Sequence, residues 1–249
     1  MLFTAAERSI VFDRILQIAR IDKRVTGGAI IGSGATDTLD QWSDIDITFG
    51  IKSGISPALI LNEWTSELEN EFGMIHYFDL RSGSAIYRVI LFPNCLELDL
   101  SVVPEKDFGP RSKNFRLLFG KAEEPSYFPQ PSIQDLIGFG WHHIVHANSA
   151  IARGRYWQAE YWISGARDNI LALICIRLGE DPAHEKGVNR LPETEIAGLE
   201  NTLVRSLDVR ELRRALREVS SALTEEIRLH DFTNLAEHLK VLLEKGLEQ

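Results

Sequence analysis

The sequence predicts an α+β fold: an N-terminal mixed β-sheet with flanking helices, followed by a C-terminal helical bundle. In the first half, short apolar or alternating runs typical of strands recur at 29–31, 45–49, 74–80, 85–92 and 96–103. Beyond a proline-rich segment at 123–132, apolar residues recur at helical spacing to the end of the chain. Because such a segment breaks regular structure, we predict two domains, 1–123 and 124–249.

Composition indicates an ordinary globular protein rather than a nucleic-acid binder. The 249 residues are 44% hydrophobic, which is enough for a sizeable core. The formal net charge is -9, whereas nucleic-acid binding requires basic patches, so a cationic small substrate fits better. Cys95 and Cys175 lack the spacing of a zinc site, and we expect both to be reduced, buried thiols. With no membrane-length run or targeting signal visible, we expect a cytoplasmic protein without a membrane partner.

Two helices are predicted to flank the strands of the first half. Residues 4–20 carry apolar side chains at helical spacing with charges between them. After a loop at 52–57, Pro57 begins a second helix, whose several glutamates we interpret as a solvated face. Residues 81–84 have the composition of a turn between two strands.

A glycine-rich turn precedes a pair of aspartates on the second predicted strand. Asp44 and Asp46 are two residues apart, so their side chains share one face of that strand. Two such carboxylates repel each other unless a cation lies between them, and Mg²⁺ prefers oxygen ligands. In the turn, Gly32 and Gly34 allow the backbone to approach an anion, and Ser33 adds donors. The pattern therefore favours a metal–nucleotide site, with a hairpin bearing two solvated acids as the alternative.

A second pair of acids lies on the strand at 96–103, after a turn at 92–95. Glu97 and Asp99 alternate with apolar residues and share one face of this strand. Either carboxylate, or both, could complete the site, and spacing alone does not separate them.

These motifs together resemble those of a known superfamily. Gly32-Ser33, a ten-residue gap and Asp44-Ile45-Asp46-Ile47 resemble the signature of the polymerase-beta type nucleotidyltransferases. The strand Leu98-Asp99-Leu100-Ser101 is similar to the third-acid strand of antibiotic nucleotidyltransferases, particularly the streptomycin adenylyltransferase type. The resemblance implies that Asp44, Asp46 and Asp99 hold two Mg²⁺ ions. It also implies that Gly32 and Ser33 bind the outer phosphates of ATP or another nucleoside triphosphate, which makes 1–123 the catalytic domain.

The second half is predicted to be a helical bundle. By the same resemblance, it would bind the acceptor, the molecule to which the nucleotide is transferred. Ser132 has the character of an N-cap for a first helix, a second helix begins near Tyr156, and two or three more follow from about 194 to 247. His142 and His146 are one helical turn apart, but the glutamate of the metalloprotease pattern is missing, so we favour packing or substrate contact over zinc.

Glu160 and Arg167 lie two turns apart on one apolar helix face. One interpretation is an internal ion-pair network. The other comes from a resemblance to the helical domain of kanamycin and lincosamide nucleotidyltransferases, where a glutamate faces the acceptor hydroxyl as general base. On that resemblance Glu160 is the candidate base and Asp168 the reserve.

The resemblance implies an enzyme that transfers a nucleoside monophosphate, AMP from ATP as first choice, to a small-molecule hydroxyl and releases pyrophosphate. Aminoglycoside or lincosamide-like antibiotics are the expected acceptors, which implies a role in antibiotic resistance. Two alternatives stay open: a nucleotidyltransferase acting on a protein or an RNA end, and a non-catalytic nucleotide-binding or antitoxin module. The sequence leaves the oligomeric state undetermined.

Overall fold

The chain forms a mixed β-sheet unit followed by a helical unit, which confirms the predicted α+β class. The structure, a computed structural model, describes residues 3–36 and 38–247, with side chains described up to residue 241. The two compact units meet in sequence at Phe128 and Pro129. The predicted boundary at 123/124 lies shortly before this point. Residues 124–128 follow the first unit because Ser126 N–H donates to Pro110 O and Phe128 N–H donates to Arg111 O.

The first unit contains a six-stranded sheet with the strand order β3-β4-β5-β2-β1-β6. Its helices are α1 (Ala5–Ile21) and α2 (Pro57–Phe72), and its strands are β1 (Val25–Ile31), β2 (Ile45–Ile51), β3 (His76–Ser82), β4 (Ala85–Leu91), β5 (Glu97–Pro104) and β6 (Phe115–Gly120). Strands β2 and β5 are parallel, and every other neighbouring pair is antiparallel. Sequence patterning identified five of these strands and missed β6.

One face of this sheet packs against α1 and α2. Phe49 of β2 is fully buried, and the ring of Trp64 from α2 contacts it edge-on, with ring centroids 5.2 Å apart. Ile15 of α1 is buried in the same core. Because side chains alternate along a strand, every second residue of β2 and β5 points into this core and the residues between them point to the other face.

Both helices begin as their sequences predict. Thr4 caps α1 in a capping box with Glu7, and Pro57 occupies the first turn of α2 after Ser56. The α2 glutamates were interpreted as a solvated face. Three of them form ion pairs with arginines of the same unit. These pairs are Arg14 with Glu67 and Glu71, and Arg24 with Glu63.

Among the described residues, the second unit contains five α-helices: α3 (Ile133–Ala152), α4 (Tyr156–Arg177), α5 (Glu193–Ile196), α6 (Val209–Leu229) and α7 (Thr233–Leu247). Ser132 is the N-cap of α3, as predicted, and its side chain accepts a hydrogen bond from Asp135 N–H at 3.1 Å. Buried aliphatic residues of α3, α4 and α6 form one core. In the described part of the chain, no helix combines the length and apolar character needed to cross a membrane.

The two cysteines differ from each other in exposure. Cys175 is buried in α4, as predicted, whereas the prediction of a buried Cys95 is wrong. Cys95 ends the turn before β5 with a φ of 64°, a left-handed conformation that directs the chain around the turn at the surface.

An arginine is buried in the first unit and is fully paired. Arg88 of β4 is 3% exposed and binds the carboxylate of Asp79 at 2.7 and 2.9 Å. It also donates to the Thr65 hydroxyl at 3.0 Å and lies 4.2 Å from the ring centroid of Tyr77. Replacing Arg88 by alanine would leave the part-buried carboxylate of Asp79 without its partner and a void where the buried arginine packs.

We therefore expect Arg88→Ala to lower the free energy of unfolding by about 2 to 4 kcal/mol. The matched control is Lys52→Ala, an exposed cation whose removal should change that free energy by less than about 0.5 kcal/mol. Urea denaturation followed by circular dichroism measures both. Equal, small changes in the two variants would show that the Arg88 pair contributes no more than a surface charge.

Candidate active site

Three aspartates converge at one point of the first unit. Asp46 of β2 and Asp99 of β5 are register partners in the parallel pair, so both carboxylates lie on the same face of the sheet. Asp44 comes immediately before β2 and shares that face because it is two residues from Asp46. One oxygen from each carboxylate lies within 4.8 Å of the others, and all three residues are partly buried. In the described part of the chain, this is the single group of three or more such side chains placed to share a metal ion.

The alternation of β2 and β5 explains why the acids meet here. Ile45, Ile47 and Leu98 are at most 3% exposed and pack on the helix-covered face of the sheet. Burying each of these side chains contributes about 1.5 to 3 kcal/mol, so the register that turns the acids to the opposite face is strongly fixed.

Asp99 has a raised pKa and a buried oxygen atom without a hydrogen-bond partner. Burial raises the pKa of Asp99 to about 7, and the charges of Asp46, Glu97 and Asp44 act in the same direction. Its Oδ1 atom is buried and has no hydrogen-bond partner among the described residues. A cation would stabilise a buried, unpaired carboxylate oxygen beside two further carboxylates, and an all-oxygen donor set suits Mg²⁺. The residues present therefore fit a divalent metal.

The glycine turn lies directly against the acids. Gly32 has a φ of 62°, and a Cβ atom at this position would collide with the carboxylate of Asp46. Glycine satisfies both constraints, since it adopts positive φ freely and has no side chain. The short 3₁₀ turn Gly32–Thr36 is held by Ser33 O, which accepts from the hydroxyls of Thr36 and Thr38, each at 3.2 Å.

Two arginines that sequence reasoning did not identify support the site. Arg8 of α1 is 9% exposed and donates to Asp40 O at 2.5 Å and Ser43 O at 2.8 Å, which fixes the backbone just before Asp44. Arg116 of β6 donates to Gly34 O at 2.8 Å. The available signal for Arg8 was an arginine on the apolar stripe of an amphipathic helix, since such a residue needs buried acceptors. Arg116 is one of five cations between positions 106 and 121, and nothing in the sequence distinguishes it from the others.

The remaining candidates are placed differently. Glu97, the alternative to Asp99, is exposed and lies outside the group of converging acids. In the helical unit, Glu160 is partly buried and accepts a hydrogen bond from the Ser164 hydroxyl at 2.7 Å. Arg167 contacts Asp168 at 3.9 Å.

The histidines of α3 pack against a tryptophan. The rings of His142 and His146 have centroids 4.3 Å apart, and the rings of His143 and His146 each lie 5.0 Å from Trp162 of α4. Burial also lowers the pKa of His143. This arrangement favours aromatic packing over a zinc site, as the sequence indicated.

Comparisons with known proteins give a distant structural likeness. No protein-family model matches the chain, and no curated protein matches it. Among solved structures, an aminoglycoside 6-adenyltransferase from Bacillus subtilis is similar to this chain, with a TM-score of 0.44 and 15% sequence identity. The similarity covers 94% of this chain and 96% of that chain. At this distance, the reaction and the substrate have to be inferred from the arrangement of the acids.

The raised pKa of Asp99 predicts a pH-dependent instability of the metal-free protein. The folded state holds a proton on Asp99 up to about pH 7, whereas the unfolded chain releases it near its ordinary value of 3.8. The free energy of unfolding should therefore fall as pH rises between these values, by about 2 to 4 kcal/mol in total, and change no further above them. We expect Asp99→Asn to lose this component and to be more stable than the wild type at pH 8 in the presence of EDTA.

Urea denaturation from pH 4 to pH 8 measures this difference. Glu97→Gln is the control, because Glu97 is exposed and its removal should leave most of the pH dependence in place. Identical pH dependence in wild type and Asp99→Asn would contradict the assignment of the raised pKa to Asp99.

Proposed function

We propose that the chain is a magnesium-dependent nucleotidyltransferase that transfers a nucleoside monophosphate, most readily AMP from ATP, to a hydroxyl of a small molecule and releases pyrophosphate. The observation that carries this proposal is the convergence of Asp44, Asp46 and Asp99 beside the Gly32 turn. Three carboxylates can hold divalent cations, and glycine at positions 32 and 34 lets the backbone of the adjacent turn come close to an anion.

The residues of the site divide three tasks among them in this proposal. Asp44, Asp46 and Asp99 would hold two Mg²⁺ ions, which neutralise triphosphate charge and lower the pKa of an acceptor hydroxyl. The backbone of Gly32 and the N–H and hydroxyl of Ser33 would bind the outer phosphates. Arg8 keeps the segment before Asp44 in one conformation, so the carboxylates need little rearrangement when the metal and nucleotide bind.

The acceptor is proposed to be a cationic small molecule. A net charge of -9 favours cations over polyanions, so aminoglycosides and lincosamides are the first acceptors to test. Glu160 of α4 is the proposed general base, since it is partly buried and its carboxylate accepts a hydrogen bond from Ser164, which fixes its orientation.

Asp46→Asn tests the metal role directly. We expect it to reduce magnesium-dependent pyrophosphate release at least about a thousandfold, because one of three charges that hold the metal is lost. Asp13→Asn, which removes an exposed carboxylate from α1, should keep full activity. Unchanged turnover in a folded Asp46→Asn variant would exclude the proposed reaction.

A screen of ATP, GTP, CTP and UTP against aminoglycosides and lincosamides identifies the substrates by the pyrophosphate released. Labelled ATP incubated with a cell extract separates the alternatives, because label on protein or RNA would indicate a macromolecular acceptor. Calorimetric nucleotide binding with no turnover in either assay would instead indicate a binding module.

Glu160→Gln tests the proposed base. We expect kcat to fall about a hundredfold or more while the nucleotide dissociation constant stays unchanged, because the substitution removes a proton acceptor and keeps the shape of the side chain. Asp168→Asn is the matched control in the same helix. A larger loss in Asp168→Asn than in Glu160→Gln would transfer the role to Asp168.

A further inference from the structure

The outer edge of the β-sheet is unusually open at β3. All seven residues of this strand are exposed, including Phe78 at 48% and Leu80 at 54%. Within the described part of the chain, β3 pairs with β4 alone, so one side of its backbone keeps unpaired N–H and C=O groups. Such an edge is a template for another strand.

Devices that normally protect an edge are missing from β3. The strand contains neither proline nor lysine, and its register against β4 runs without a shift from His76 to Ser82. The opposite edge, β6, is irregular: its register against β1 shifts between Gly28 and Ala29. Bulges, prolines and lysines are the usual means of preventing edge pairing, and the two charged residues of β3, Asp79 and Arg81, have opposite signs. Strand β3 is therefore the edge that can accept a partner.

The hairpin fixes which residues of β3 offer their backbone groups. A two-residue turn joins β3 to β4, with Gly83 at a φ of 58°, and Ser82 pairs with Ala85. In such a hairpin the pair next to the turn exchanges both hydrogen bonds, and the pattern alternates from there. Arg81 and Asp79 therefore direct their N–H and C=O groups outward, while Leu80 directs its groups towards β4.

The side chains of β3 are complementary to a second copy of the same strand. In an antiparallel pair related by a two-fold axis at Leu80, each Asp79 lies opposite the second copy's Arg81, and the two Leu80 side chains face each other. Arg88 already holds Asp79 at 2.7 Å, so this carboxylate is fixed in place before any partner arrives. If the two-fold axis lay at Phe78 instead, two residues along the strand, neither of these ion pairs would form.

We propose that β3 is a homodimer interface, in which two copies pair antiparallel about Leu80 and join their sheets into one. Directly paired residues of four neighbouring strands, β3, β4, β5 and β2, form a row on one face of the sheet. This row consists of Phe78, Val89, Asp99 and Asp46. The joined sheet therefore brings the second copy's Phe78 and Leu80 onto the face that carries the acids. This interface is independent of the reaction proposed above, because it involves none of the converging aspartates.

Light scattering coupled to size exclusion tests the dimer over a concentration series of the full chain. We expect a dimer that dissociates on dilution, and Leu80→Lys should raise its dissociation constant more than about tenfold because two ammonium groups meet on the axis. Leu117→Lys is the matched control, since Leu117 is an exposed leucine on the opposite edge strand. Arg81→Glu should act like Leu80→Lys, whereas Arg81→Lys should retain the dimer.

Cross-linking tests the register, and it stays informative even if Leu80→Lys impairs folding. In a Cys95→Ser background, Leu80→Cys should form a covalent dimer on mild oxidation, because directly opposed residues in a non-hydrogen-bonded pair have Cα atoms about 4.5 Å apart. Phe78→Cys should form none, since it would lie opposite Ser82. A monomer at every concentration, a dimer insensitive to Leu80→Lys, or cross-linking through position 78 but not 80 would each overturn the proposal.

Discussion

The repulsion between Asp46 and Asp99 is the constraint on which the site depends. The parallel pairing of β2 and β5 places these residues directly opposite each other, and the buried aliphatic residues between them prevent either strand from turning its acid away. Slipping the register by one residue would bury the carboxylates against α1 and α2 and expose the core. The hydrophobic core therefore imposes a charge conflict that a bound cation would relieve, and burial together with the neighbouring carboxylates raises the pKa of Asp99.

The acid-bearing face is not uniformly open. Next to the acids along the strands, Thr48 and Ser101 are register partners and are buried, at 8% and 2% exposure. Further along, Phe108 covers the sheet so closely that a Cβ at Gly50 or Gly27 would collide with its ring. Since this end of the face is closed by protein, the acids lie where the covered part of the face ends, near the starts of β2 and β5.

The spacing of apolar residues in each segment decides how much of the fold and of the candidate site could be predicted from the sequence. The alternation of apolar and polar residues at 45–49 and 96–103 was sufficient to place Asp44, Asp46 and Asp99 on strand faces that point away from the core. In a half-buried strand this alternation shows which side chains face the core. Strand β6 was missed because its exposure pattern follows no alternation and its arginine belonged to a run of surface cations. The roles of Arg8 and Arg116 depend on which carbonyl groups tertiary folding brings to them, across 32 and 82 residues of sequence, and local patterning carries no such information.

The segment between the glycine turn and Asp44 links the hydrophobic core of the first unit to the candidate site. Asp40 accepts hydrogen bonds from Trp42 N–H and the Ser43 hydroxyl, which lower the pKa of Asp40 and close a tight turn. Arg8 anchors that turn from α1, a helix whose other buried residues belong to the sheet core. Folding of the core thereby orders the loop before any ligand binds, so the entropy of arranging Asp44 beside Asp46 is spent during folding. A site ordered in this way would bind the proposed metal–nucleotide complex more tightly without additional contacts to it.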